Sequence, residues 1–180
     1  ACLFAAGNFS YMFFILRAQE LFSGAMAVAA PLLLYVLFNL VYAIFAMPVG
    51  IWSDHVGRRK VLVLGYALFA ATALGFAFVS SLAGLVVLFA LYGLVYALVD
   101  GSEKAYVSDL SPASLRASSL GIYYGAVGLS AIASSLLAGI IWSAWGAEAA
   151  FLFGAGSSGL AALALMNKKW MMLIIYGNIY

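Results

Sequence analysis

Charge is the scarcest thing in this chain. Of its 180 residues only 8% are Asp, Glu, Lys or Arg, against about 25% in an ordinary soluble domain. Such a chain cannot cover a water-facing surface, and its solvent is mostly lipid. The net charge is only +2 and the basic residues do not line one face, which argues against nucleic acid as a partner. One cysteine, Cys2, and one histidine, His55, are present. They exclude an internal disulfide and leave no His/Cys set to hold a metal. The phosphate-cradling loop of an ATP motor and the Gly-x-Ser-x-Gly elbow of a hydrolase are both missing. No enzyme chemistry and no cofactor is expected.

What is abundant is apolar: 67% of the residues are hydrophobic. A membrane-crossing helix needs roughly 20 such residues, and the few charges divide the chain into runs of that order. The first run is Ala1 to Leu16, ended by Arg17 and a polar turn at Ala18-Gln19-Glu20. With no charged region ahead of it, its helix is expected to be clipped, or the chain to be a fragment. A second helix is expected within Leu21 to Ser53, carrying Pro31 and Pro48. The uncharged stretch from Lys60 to Val99 is too long for one span and should fold back at Ser80-Ser81-Leu82-Ala83-Gly84. Ser111-Pro112 reads as a helix start. A fifth helix is expected over about 117–142 and a sixth over about 149–166, parted by Gly146-Ala147-Glu148. The reading is an all-α, polytopic bundle of six transmembrane helices over residues 1–166. A compositionally different tail, 167–180, would be cytoplasmic, interfacial through Trp170, or non-native.

On an alternating path Arg58, Arg59, Lys60, Lys104, Arg116, Lys168 and Lys169 fall on one side and only Arg17 on the other. The positive-inside rule makes the first side cytoplasmic, both termini included. Trp52 and Trp170 then mark one interface, Trp142 and Trp145 the other. The fifth helix is rich in small residues, with Gly121-x-x-x-Gly125 as a close-packing step. Packing inside the bundle is the plainer expectation for it, a dimer interface the alternative.

Residues 50–60, Gly-Ile-Trp-Ser-Asp-His-Val-Gly-Arg-Arg-Lys, concentrate charge in a short turn. A basic turn can serve orientation alone. Asp54 is useless for orientation, so it needs a partner. Gly50 is read as a close helix approach and Gly57 as a tight turn. Asp54 would sit on the free N–H groups where the fifth helix starts, near Ala117-Ser118-Ser119, and Arg58 would pair with Asp54 or Asp109. With Arg59, these residues form a candidate conformational latch.

On the fourth helix Tyr92, Tyr96, Asp100 and Glu103 recur at helical steps and share one face. Acids in a span are costly and face a cavity or a partner. One reading lines a cavity, with Asp100 or Glu103 coupled to a proton. The other is an ion pair with Lys104, Arg58 or Arg59. A weaker stripe, Tyr35, Asn39 and Tyr42, lies on the second helix, with helix-to-helix bonding as the plainer role for Asn39. Asn8 and Arg17 complete the candidates, Arg17 being expected to reach out to the membrane interface.

The spacing Gly50-x-x-x-Asp54-x-x-Gly57-Arg58-Arg59 resembles the signature loop of the major facilitator superfamily, which joins the second and third helices of a six-helix half. His55 stands where that family often has Arg. Asp100-Gly101-Ser102-Glu103-Lys104-Ala105, Ser108-Asp109-Leu110-x-Pro112-x-x-Leu115-Arg116 and Leu120-Gly121-x-Tyr123 resemble its loop between helices ten and eleven. Asn8-Phe9-Ser10 with Phe14-Ile15-Leu16-Arg17-Ala18-Gln19 is similar to its helix seven. The resemblance covers about 1–166. It implies the carboxy-terminal half, a 3+3 inverted repeat, of a secondary carrier of roughly twelve helices. That carrier would move a small solute, by proton-coupled efflux or uptake, across a plasma membrane of the bacterial inner-membrane type. Its expected partners are the lipid bilayer, the solute, and an amino-terminal transporter half or a second copy. The alternatives are a non-transporting membrane interaction or assembly subunit, or an inactive fragment.

Overall fold

In this computed structural model, residues 1–167 are described. Their regular structure is helical: α1 (Cys2–Gly7), α2 (Met12–Gln19), α3 (Met26–Val56), α4 (Arg58–Phe78), α5 (Leu82–Leu110) and α6 (Arg116–Met166), with a 3₁₀ turn at Ala113–Leu115. Four of these segments, the 3₁₀ turn counted with α6, are long and apolar enough to cross a membrane. The tail assignment, with Lys168, Lys169 and Trp170, lies outside the described residues.

Turn chemistry accounts for most boundaries. Gly57 alone separates α3 from α4, at φ 101°, a left-handed conformation that L side chains rarely adopt. Its N–H still donates to Ser53 O at 3.0 Å, closing the last turn of α3. Ser81 caps α5 by accepting from the Gly84 N–H at 3.2 Å. Pro31 and Pro48 both lie inside α3, as the long second run anticipates. Gly146, at φ 87° and ψ 175°, breaks α6 into arms 116–145 and 147–166. The chain reverses there. Ser134 and Ser158 each lie twelve residues from Gly146 (146 − 134 and 158 − 146), yet both reach α1, the first through Ala6 O and the second beside Gly7.

Three expectations need correction. The first run is not one helix: it breaks between Gly7 and Met12. The break is tolerated because the first arm of α6 satisfies freed backbone groups. Ser134 Oγ donates to Ala6 O at 2.7 Å, and the Ser10 N–H donates to Ser135 Oγ at 3.3 Å. Ser111 does not start a helix; it ends α5, its hydroxyl donating back to Val107 O at 2.7 Å, and the 3₁₀ turn comes before α6. The small residues of the first arm pack within the bundle only in its second half, where Ser134 and Ala138 are buried. A Cβ at Gly121, Gly125 or Gly128 would meet open space. The close approaches are elsewhere. A Cβ on Gly93 would lie 2.5 Å from Phe38 O, and one on Gly7 would lie 2.8 Å from Gly154 O. These glycines set the α3–α5 and α1–α6 crossings.

The core is aromatic. Phe14, from short α2, stacks on Tyr92 of α5 at 4.2 Å and meets Phe76 of α4 and Phe151 of α6 edge-on at 4.9 and 5.1 Å. Four elements thus converge on one fully buried ring. At one end Arg58 bridges Asp54 of α3 and Asp109 of α5, while Arg59 meets the end of α6. Arg17 lies at the opposite end, on the last residues of α4. α4 itself is roughly 30 Å long, so the two basic clusters lie a membrane's thickness apart.

Candidate functional site

α5 carries most of the site. Steps of four and three residues put Tyr96, Asp100 and Glu103 along one line, and all three border a cavity of about 380 Å³ between α1, α5 and the first arm of α6. Asn8, at the break after α1, borders it too, with Lys104 and Tyr123. Two acids of like charge lie one turn apart, and the protein treats them differently. Asp100 is neutralised. Lys104 Nζ lies 2.7 Å from each of its carboxylate oxygens, and the Tyr42 hydroxyl of α3 donates to it at 3.1 Å. Glu103 accepts one phenolic hydrogen bond at each oxygen, from Tyr66 of α4 and from Tyr123 of α6. It is 8% exposed, and among the described residues no Lys or Arg forms an ion pair with it. Phenols share the charge but do not cancel it, and an ion buried without its opposite is costly.

The turn at 50–60 forms a second cluster. Arg58 spans two acids, Nη2 to Asp54 at 3.1 Å and Nε to Asp109 at 3.0 Å. It thereby ties α3 to α5. Asp54 is exposed and does not rest on the start of α6; Arg58, one helical turn along, supplies its positive partner. Arg59 turns away to the carbonyls that α6 leaves free at its end, Leu165 O at 2.6 and 2.8 Å and Met166 O at 3.2 Å. Cationic donors suit that end of a helix. Gly57 is the positive-φ link, but Gly50 approaches nothing closely among the described residues.

The remaining candidates lie apart from the cavity. Tyr92 is buried in the aromatic core, and its hydroxyl has no hydrogen-bond partner among the described residues. Tyr35 stacks on Tyr11 and Phe38. Asn39 donates to Tyr35 O of its own helix at 2.8 Å and, among the described residues, bonds to no second helix. Arg17 lies at the end of α4, a membrane's thickness from Arg58, with its side chain held against the protein. Its Nε and Nη2 clasp Phe76 O and Ala77 O at 3.2 Å, with Val79 O at 3.4 Å and Glu20 at 2.9 Å. It caps α4 as Arg59 caps α6. The two phenols on Glu103 are functional residues the pattern does not disclose. Tyr66 stands alone in an apolar helix, and Tyr123 enters only through the resemblance of its loop.

Similarity to known proteins agrees with this architecture. The Major Facilitator Superfamily profile matches residues 1–170. An uncharacterized MFS-type transporter of Methanocaldococcus jannaschii is 46% identical over 169 residues, covering 92% of this chain and 42% of the relative. A second from the same organism is 25% identical over 141 residues, 78% of this chain and 36% of the relative. The tetracenomycin C resistance and export protein of Streptomyces glaucescens is 32% identical over 126 residues, 70% and 23%. The chain thus spans less than half the length of these relatives. A membrane bundle of apolar helices, nearly full coverage by the family profile and transporter relatives lead to one conclusion: the chain belongs to the Major Facilitator Superfamily, whose members are transporters and not enzymes.

Proposed function

We propose that this chain is the carboxy-terminal six-helix half of a secondary carrier, and that its cavity takes a small solute against a proton held at Glu103. The single observation behind this is the buried carboxylate that borders the cavity, bonded to two phenols and, among the described residues, in no ion pair. Loading and unloading of a proton at this carboxylate would bias which side the cavity faces. Asp100, already paired with Lys104, tunes the wall. Tyr96 and Asn8 meet the solute.

Six spans follow if α1 with α2 counts as one broken helix and α6 as two. Packing supports a 3+3 inverted repeat. An exchange of helices one, two, three with four, five, six turns the α3–α5 contact into one between the first arm of α6 and α1. That contact is made by Ser134 and Ser135. Arg58 with Asp54 and Asp109 acts as the latch on the face we assign to the cytoplasm, in a bacterial-type inner membrane. An amino-terminal half would cover the open side of the cavity and the uncovered glycines of the first arm. The relatives' greater length favours that over a second copy, and equally favours the rival reading of an inactive piece.

One experiment addresses both. The chain joined to its amino-terminal half is reconstituted in proteoliposomes, and solute movement is followed with an imposed pH gradient. Gradient-driven movement is expected, and Glu103→Gln should remove the response to the gradient while leaving downhill exchange. If Glu103→Gln keeps the response, the proton is carried elsewhere and the site is wrong.

A further inference from the structure

Asn8 narrows what the solute is. It lies where α1 ends, its N–H closing the last turn on Phe4 O at 2.8 Å. The first arm of α6 pins the backbone on both sides of it, Ser134 donating to Ala6 O and Ser135 accepting from the Ser10 N–H. The amide is therefore fixed in place before a solute arrives. Three buried side-chain oxygens lack a hydrogen-bond partner among the described residues, and of these only Asn8 Oδ1 belongs to a residue bordering the cavity. The charged groups there are engaged, Asp100 with Lys104 and Glu103 with two phenols. A buried acceptor without a donor is destabilising, and an incoming donor relieves that cost.

Much of the remaining wall is aromatic. Phe4 and Phe9 border the cavity beside Asn8, Tyr96 borders it from α5, and Tyr123 and Tyr124 from the first arm of α6. The first two rings are themselves held: Phe4 stacks on Tyr66 at 4.2 Å, and Phe9 on Phe14 at 5.6 Å. Fixed rings favour a flat π surface, offset-stacked or edge-on, over a saturated body of similar size. The volume, about 380 Å³, suits a small organic molecule.

We infer that Asn8 selects the solute, its Oδ1 accepting a hydrogen bond from an N–H or O–H on the rim of a flat aromatic molecule. This rests on the reading of the cavity as the carrier's solute site. An amide does not titrate, so the selection is separate from the charge on Glu103.

Three uncharged probes of nearly one shape test it. Indole has the ring and the N–H. Benzofuran keeps the ring and puts an oxygen where the N–H was. 4,5,6,7-Tetrahydroindole keeps the N–H and saturates the six-membered ring. Binding to the carrier, complete with its amino-terminal half, is measured by equilibrium dialysis in lipid nanodiscs, with uptake by empty nanodiscs subtracted. Indole should bind about tenfold tighter than benzofuran, because a site built to accept a donor rejects the analogue without one. It should bind about threefold tighter than tetrahydroindole, the share of ring stacking. In Asn8→Leu the ratio of indole to benzofuran should fall to about one. A merely structural Asn8 would weaken both probes alike and keep the ratio. If Asn8→Leu does not fold, the wild-type ratios decide. Benzofuran or tetrahydroindole binding as tightly as indole, a ratio that survives Asn8→Leu, or no binding of indole overturns the inference. Gradient-driven transport that ignores Glu103→Gln counts against the proton site of the carrier reading and leaves these ratios as they are. Equal binding of the probes, with transport still dependent on Glu103, removes the selection by Asn8 and leaves the carrier.

Discussion

At the scale of single residues, the arginines show how a membrane protein uses a charge it cannot leave bare. Arg17 and Arg59 each donate to several carbonyls at a helix end, where hydrogen-bonding groups and the macrodipole favour a cation. Arg17 keeps only 15% of its side chain exposed. Arg17→Ala leaves carbonyls near the end of α4 without their donor. It should lower stability by about 1–3 kcal/mol, read as an earlier thermal unfolding transition in detergent. Arg17→Lys, with a single ammonium in place of a fork, should recover part of the loss. Equal unfolding of wild type and Arg17→Ala would show that the clasp contributes nothing. The sequence discloses charged residues well because they are rare. It discloses Asp100, Glu103, Asp54 and Arg58 for that reason, and even their helical register. It does not disclose partners that carry no charge. Tyr66 resembles any other aromatic in an apolar helix, and its bond to Glu103 depends on how α4 packs on α5. Arg17 was visible, its carbonyl partners were not, since backbone acceptors leave no mark on a sequence.

At the scale of elements, lengths and ends follow from local chemistry, while contacts do not. Gly57, Ser81 and Gly146 mark turns that the residue order anticipates, because each has a local cause: a positive φ or a side-chain cap. The break between α1 and α2 has a distant cause. Ser134 and Ser135 lie more than a hundred residues away and replace helical hydrogen bonds with their own. A run of apolar residues cannot announce that. Glycine teaches the same lesson. The conspicuous Gly121 and Gly125 face open space, whereas inconspicuous Gly93 lets α5 touch the backbone of α3. Gly93→Ala should therefore cost about 1–3 kcal/mol, as overpacking does. Gly125→Ala should lie within about 0.5 kcal/mol of wild type in the isolated chain. Unfolding in detergent, followed by circular dichroism, compares the two directly. A Gly93→Ala protein as stable as Gly125→Ala would mean that the α3–α5 crossing is looser than described.

At the scale of the molecule, the charges that orient the bundle also limit what it can do alone. Arg58, Arg59, Lys60, Lys104 and Arg116 lie toward one end and Arg17 at the other. With Cys2 removed, a cysteine at position 148, exposed beside the break in α6, should react with an impermeant external thiol reagent and one at position 55 should not; the reverse pattern would invert the topology. The cavity raises the sharper issue. Asp100 and Lys104 keep 39% and 38% of their side chains exposed, within a helix apolar enough to span a bilayer. In lipid that exposure would face hydrocarbon, where charged groups cost several kcal/mol. Water or a protein partner must cover them. An alternating-access carrier needs two bundles that rock about a site between them, and one bundle has nothing to rock against. Purified by itself and reconstituted, the 180-residue chain should move no solute under a pH gradient and should associate with itself or aggregate. Supplied with its amino-terminal half, it should gain gradient-driven transport and a higher unfolding temperature. Sustained uptake by a demonstrably monomeric chain would refute the half-carrier reading, because a single bundle would then be opening and closing the site alone.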